Sequence, residues 1–285
     1  MAKLPGNTQA LSSDGKSLFS LADVNSLGTD EKERFYGGLI PPRLFGMFGI
    51  SRQTFCGADG ERKVSIIAPP GLGLARIEVR LQRDDRDTVF FLDLADTRYH
   101  QMELSFCIIS DPDAPRFDVD LDSSGRDNCF ATLGRNIPEE IRAMAAGLYP
   151  HQTRHGLRMF GEFFPLLERF VDSLGMEMIV AEPLTYDNAI RYEAYGFDYL
   201  TGRRLMTEIN EGFKPGGILY RRLDGASPFR MPGMERTVRG RSWAIHDGIM
   251  DEPWDEVHIY KMVGQCAKLD TFPEREREGG VSSQQ

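Results

Sequence analysis

The chain has 285 residues, with 34 Lys plus Arg against 43 Asp plus Glu, a formal net charge of −9 at pH 7. That acid excess argues against a nucleic-acid partner held by a general basic surface, because such binding scales with the phosphates neutralised. With 41% hydrophobic residues, 29 Gly and 16 Pro, the composition is that of a turn-rich globular protein rather than a disordered one.

Every apolar run is broken by charge, Gly or Pro well short of the roughly 18–20 residues a membrane-spanning helix needs, so no membrane partner is expected. The stretch from Met1 to Ser20 lacks the basic, apolar, small-residue order of a cleaved leader, which makes a cytoplasmic protein the default expectation. Cys56, Cys107, Cys129 and Cys266 are widely spaced with no CxxC, the pattern of reduced structural thiols.

The first 30 residues are polar and Ser/Gly-rich and read as a flexible segment, as do residues 273–285 with their mixed-charge run from Glu274 to Glu278. Residues 31–272 read as a single domain. Between Lys63 and Asp122 the signal is β. Val64–Ile67, Ala75–Leu81, Val89–Leu94, Met102–Ile109 and Phe117–Leu121 are short branched and aromatic segments separated by turn clusters, which suits an antiparallel meander. In Phe117–Asp122 strict alternation sets Asp118, Asp120 and Asp122 on one face. That face is either solvated or turned toward a cleft.

Pro138, Glu139 and Glu140 make a good first helical turn leading into Ile141–Leu148. Leu157–Leu174 carries apolar residues at spacings of three and four, an amphipathic helix with a kink or break expected at Pro165. Met176–Ala181 reads as a strand, Asp187–Tyr195 as a helix and Arg204–Ile209 as a further strand. Gly216–Arg230 reads as an Arg-bearing hairpin. Arg236–Gly248 gathers three Arg, an aromatic and the neighbours His246 and Asp247, which on a strand would point to opposite faces.

The strand at Met176–Ala181 and the long helix before it, followed by Asn188-Ala189-Ile190-Arg191-Tyr192-Glu193-Ala194-Tyr195-Gly196-Phe197, resemble the GNAT superfamily of acyl-CoA-dependent N-acyltransferases. Val257–Met262 also looks like that family's last strand. The resemblance implies an α/β (α+β) fold: a mixed, mostly antiparallel twisted sheet flanked by helices, here with two large insertions at 123–150 and 210–253. These insertions suit substrate-specific or homodimer-forming surfaces. The family's phosphate loop is R/Q-x-x-G-x-G/A, and the corresponding segment here is degenerate, with Thr153 at its opening, Gly156 as its first glycine and Arg158 at the last small position.

The resemblance implies a transferase that moves an acyl group from acetyl-CoA or another acyl-CoA to an amine of a small molecule or protein. Arg154, Gly156, Arg158 and Asn188 are its cofactor-binding candidates, Glu182 and Asp120 (with Asp118) its base candidates, and Tyr192 its acid. The alternative is a GNAT-like protein without acyl transfer. It would be either a non-catalytic binding or scaffold protein, or a metal-dependent enzyme using His151, His155 and Glu162, which would share a face on one continuous helix.

Overall fold

The computed structural model describes Leu4, Gly6 and residues 8–273. Three short helices, α1 (Leu21–Asn25), α2 (Thr29–Gly37) and α3 (Pro42–Met47), precede strands β1 (Val64–Ile67), β2 (Leu74–Val79), β3 (Phe90–Asp96) and β4 (Met102–Ile109). Then come α4 (Ile137–Ala145), α5 (Phe160–Ser173), β5 (Met178–Ala181), α6 (Tyr186–Ala194), β6 (Asp198–Thr201), α7 (Arg203–Phe213), α8 (Ile218–Arg221), α9 (Val238–His246) and β7 (His258–Met262). The fold is mixed α and β, with one sheet in the strand order β1-β2-β3-β4-β5-β7-β6. The β1–β4 pairs are antiparallel, and β4 and β5 are parallel. Among the described residues no helix is long and apolar enough to cross a membrane.

The chain divides into two compact units. The first comprises the chain up to Ala114, His155–Glu182 and Tyr260–Cys266; the second comprises Pro115–Arg154, Pro183–Ile259 and the chain from Ala267 onward.

In the first unit the meander follows from alternation. Ile77, Leu92, Phe90, Met102 and Leu104 are buried, while Arg76 and Asp93 on the other face form a two-pronged ion pair at 2.8 Å on each prong. α5 covers the apolar face. Its Phe163 meets Phe90 edge to face at 5.8 Å, and burying such a ring contributes about 1.5–3 kcal/mol. α5 continues through Pro165 rather than breaking, and it begins at Phe160, three residues later than the apolar spacing indicated. The proline therefore falls within the first two turns.

The N-terminal 30 residues, expected to fray, are tied down from about residue 8. Leu18, Leu21 and Val24 are buried, and the Asp96 carboxylate accepts from the orphan amides of Leu21 and Ala22 at 3.0 and 3.1 Å. The run Glu274–Glu278 lies outside the described residues.

The second unit contains both stretches read as insertions, and they build its core together. Phe117, Val119, Ala143, Leu148, Phe229 and Trp243 form one buried cluster, in which the Trp243 indole donates to the Leu148 carbonyl at 2.9 Å and stacks on Phe229 at 5.2 Å.

Two expected strands and an expected hairpin are corrected here. Phe117–Leu121 keeps its alternating burial but forms no ladder, because Asn128 takes its carbonyls: the Asn128 amide donates to Val119 at 2.8 Å and to Leu121 at 3.3 Å. Residues 204–209 lie in helix α7, where Met206, Ile209, Asn210 and Phe213 are buried at helical spacing. Arg236–Gly248 is chiefly helix α9, and the Gly216–Arg230 hairpin is a helical turn, α8, followed by turns.

Candidate functional site

Two arrangements stand out, one in each unit. In the first unit β4 and β5 pair only briefly. Their parallel pairing consists of Met102 with Ile179 and Glu103 with Val180, after which β4 runs on to Ile109 while β5 ends at Ala181. The outer end of the β4 edge is met by the segment leading into α5. Gly156 lies opposite Ser110; the Leu157 amide donates to Ile109 at 3.3 Å and the Asp111 amide to His155 at 2.9 Å. With the ladder bonds made by the flanking residues, the N–H and C=O of Gly156 itself point away from β4.

Glycine is required at 156 by that close approach, since a Cβ there would stand 2.8 Å from the Ile109 oxygen. Gly156→Ala is expected to cost about 1–3 kcal/mol in a urea titration. An unchanged midpoint would show that the segment moves off β4 freely.

Arg158 follows at φ 56°, exposed, at the mouth of α5, whose first-turn amides carry the positive end of the helix dipole. Glu162 in that turn pairs with Arg43 of α3 at 3.3 Å, and Arg43 also donates to the Leu157 carbonyl at 3.1 Å. The net result is an exposed guanidinium at the start of a helix, beside the segment that pairs with the end of β4, an arrangement suited to an anionic ligand.

The second unit holds a buried polar chain that sequence reasoning missed. Glu140, 2% exposed on α4, accepts from Arg135 Nε at 3.1 and 3.0 Å and from Arg135 Nη2. It also bonds His246 Nε2 at 3.1 Å. Arg135 continues to Asp247 at 2.9 Å, and Asp247 in turn accepts from Ser227 at 2.6 Å and Arg230 at 2.9 Å.

Burial alone would raise the Glu140 pKa, but the bonds from His246 and Arg135 outweigh it and hold the carboxyl at about 2. Asp247 is likewise held below its ordinary value, with the bonds from Ser227 and Arg135 overcoming its burial. An ionised Glu140 only accepts, so His246 Nε2 carries the proton in that bond. The His151 ring stands edge-on to His246, centroids 4.7 Å apart, with Phe130 against it at 5.9 Å. Burial first, then repulsion from His246, lowers the His151 pKa to about 4.

His246 and Asp247 therefore belong to one network. The helix end brings both to Arg135 and Glu140, where a strand would have separated them. The available signal was Glu140 itself, an acid three residues before the buried Ala143 on the core face of α4.

The remaining sequence candidates are distributed between the units. Glu182 is exposed immediately after β5 in the first. In the second, Asp120 accepts from Arg116 at 2.7 Å, Arg154 is half-buried, Tyr192 packs its ring on Phe197 at 4.9 Å, and Asn188 is half-buried in the first turn of α6. His151, His155 and Glu162 do not share a helix. His151 sits at φ 63°, His155 is in the extended segment against β4, and only Glu162 is helical. The metal alternative thus loses the geometry it depended on, and among the described residues no group of three His, Cys, Asp or Glu side chains is placed to hold a metal ion. Comparison with known protein families, characterised proteins and solved structures yields no match for this chain.

Proposed function

We propose that the protein is an acyl-CoA-dependent N-acyltransferase of the GNAT type, working in the cytoplasm on an amine of a small molecule or protein. The observation that carries this reading is the short parallel pairing of β4 with β5, two residue pairs long, after which only β4 continues. In the resembled family the cofactor slot lies between two parallel strands that separate, and the strand beside β5 here is β4. In this reading Arg158 and the first-turn amides of α5 hold the pyrophosphate of acetyl-CoA or a longer acyl-CoA, beside the segment that Gly156 lays along β4.

Transfer forms a bond from the amine nitrogen to the thioester carbonyl carbon and breaks the carbon–sulfur bond. The amine gives up a proton to a carboxylate, for which Glu182 at the end of β5 is the candidate, and the departing thiolate takes one up, so protons balance.

Calorimetry with acetyl-CoA on the full chain tests the reading. Binding at micromolar to low-millimolar affinity is expected, weakened about tenfold by Arg158→Gln. Absence of binding at millimolar ligand would sink it. A second reading, a GNAT-like protein that binds without transferring, is favoured by the packing of Tyr192 on Phe197 and the ion pair of Asp120 with Arg116. Under it acetyl-CoA binds while no amine in a broad panel becomes acylated.

A further inference from the structure

A concave surface in the first unit is lined by residues other than those of the β4–β5 pairing. A cavity of about 480 Å³ lies between α2 and the turn after α3. Asp30, Glu33 and Gly37 line it from α2 at spacings of three and four, which places them on one helix face, and Arg52 lines it from the turn. Its floor is aromatic: Phe45 and Phe55 are buried and stacked, with ring centroids 6.2 Å apart.

The floor is built at a cost. Phe55 holds φ 57°, in the left-handed region that a bulky residue rarely adopts, and its ring fills the space where a Cβ on Gly37 would stand, 2.6 Å from Phe55 Cζ. A side chain at 37 would push that ring out of place.

The charges are not all spent internally. Glu33 pairs with Arg62 at 2.7 Å. Asp30 and Arg52 form no ion pair with any described residue, and Arg52 is positioned by stacking over the Phe45 ring at 5.3 Å. A carboxylate from one element, a pre-positioned guanidinium from another and an apolar floor between them match a ligand that carries both an ammonium and a carboxylate on an apolar body. The volume falls within the range of small-molecule sites.

We infer that this cavity binds a small zwitterion of the amino-acid class, with its ammonium toward Asp30, its carboxylate toward Arg52 and its apolar side chain over Phe45 and Phe55. The inference does not rest on the acyl-transfer reading, and its test needs no CoA.

L-phenylalanine, its N-acetyl derivative and its amide are titrated separately into the full-length protein by calorimetry. The free amino acid is expected to bind at least about tenfold more tightly than either capped form, since each cap removes one charge. Arg52→Gln is expected to abolish the preference over the amide, and Asp30→Asn the preference over the N-acetyl form. Both side chains are exposed, and circular dichroism verifies that the variants stay folded. No binding of L-phenylalanine at about 20 mM, equal binding of the three compounds, or unchanged selectivity in the folded variants would each overturn the inference.

Discussion

Replacing Glu140 by alanine is expected to destabilise the second unit by about 3–5 kcal/mol, the largest single effect of any substitution proposed for this protein. Glu140 is almost wholly buried, and its carboxylate satisfies both Arg135 and His246. Its removal leaves a guanidinium without its main acceptor beside the Phe229 ring, over which Arg135 stacks at 5.1 Å, and frees a ring nitrogen next to Trp243. Glu140→Gln keeps the shape and loses the charge, so an intermediate loss is expected. Asp251→Ala, which breaks the exposed pair with Arg222, should cost under about 1 kcal/mol. Urea denaturation of the three variants provides the measurement. A Glu140→Ala midpoint as close to wild type as that of Asp251→Ala would show that the buried chain contributes nothing to stability.

Acidification is expected to remove stability in two steps, both through the same network. His151 is held neutral, with its pKa lowered from 6.5 to about 4, so the unfolded chain binds a proton there at pH values where the folded protein does not. That contribution is fully present above about pH 6.5 and is lost as pH falls toward 4, amounting to at most about 3 kcal/mol. Glu140, lowered from 4.5 to about 2, adds a second loss below pH 4.5 with the same sign. His151→Asn tests the first step, because asparagine accepts the positive φ at this position and does not titrate in this range. Denaturant midpoints at pH 7 and pH 4.5 should differ clearly in the wild type and much less in the variant. Equal pH dependence in both would assign the acid loss to other groups.

Several elements were legible in the sequence because their patterns are local. β4 runs from Met102 to Ile109 as the branched and aromatic run indicates, and α4 opens on Pro138 with Glu139 and Glu140 in its first turn. α6 covers Asn188 to Ala194 of the stretch that carried the family resemblance. One misreading comes from a short apolar pattern that fits two periods. Met206 to Ile209 fits strand or helix, and burial of Asn210 and Phe213 on the same face decides for helix. In Phe117–Leu121 the alternation is real, but the hydrogen-bond partner is the side chain of Asn128, just beyond the segment, rather than a strand. For His246 and Asp247 the strand assumption separated two residues that the end of α9 unites.

The candidate site shows the same division. The strand at Met176–Ala181 and the helix before it were visible, but which strand lies beside β5, and over how many residues the two pair, depends on long-range pairing. Composition, charge, the β meander and the amphipathic helix follow from the sequence by itself, because nearest-neighbour chemistry and periodicity determine them. Tertiary structure alone decided that 123–150 and 210–253 share one core. It also decided that Glu140 joins Arg135 to His246 across more than a hundred residues of chain, and that Phe55 lies beneath Gly37. Each of those outcomes is a meeting of groups distant in the chain, set by which apolar faces are buried together and by which buried charges must then find partners.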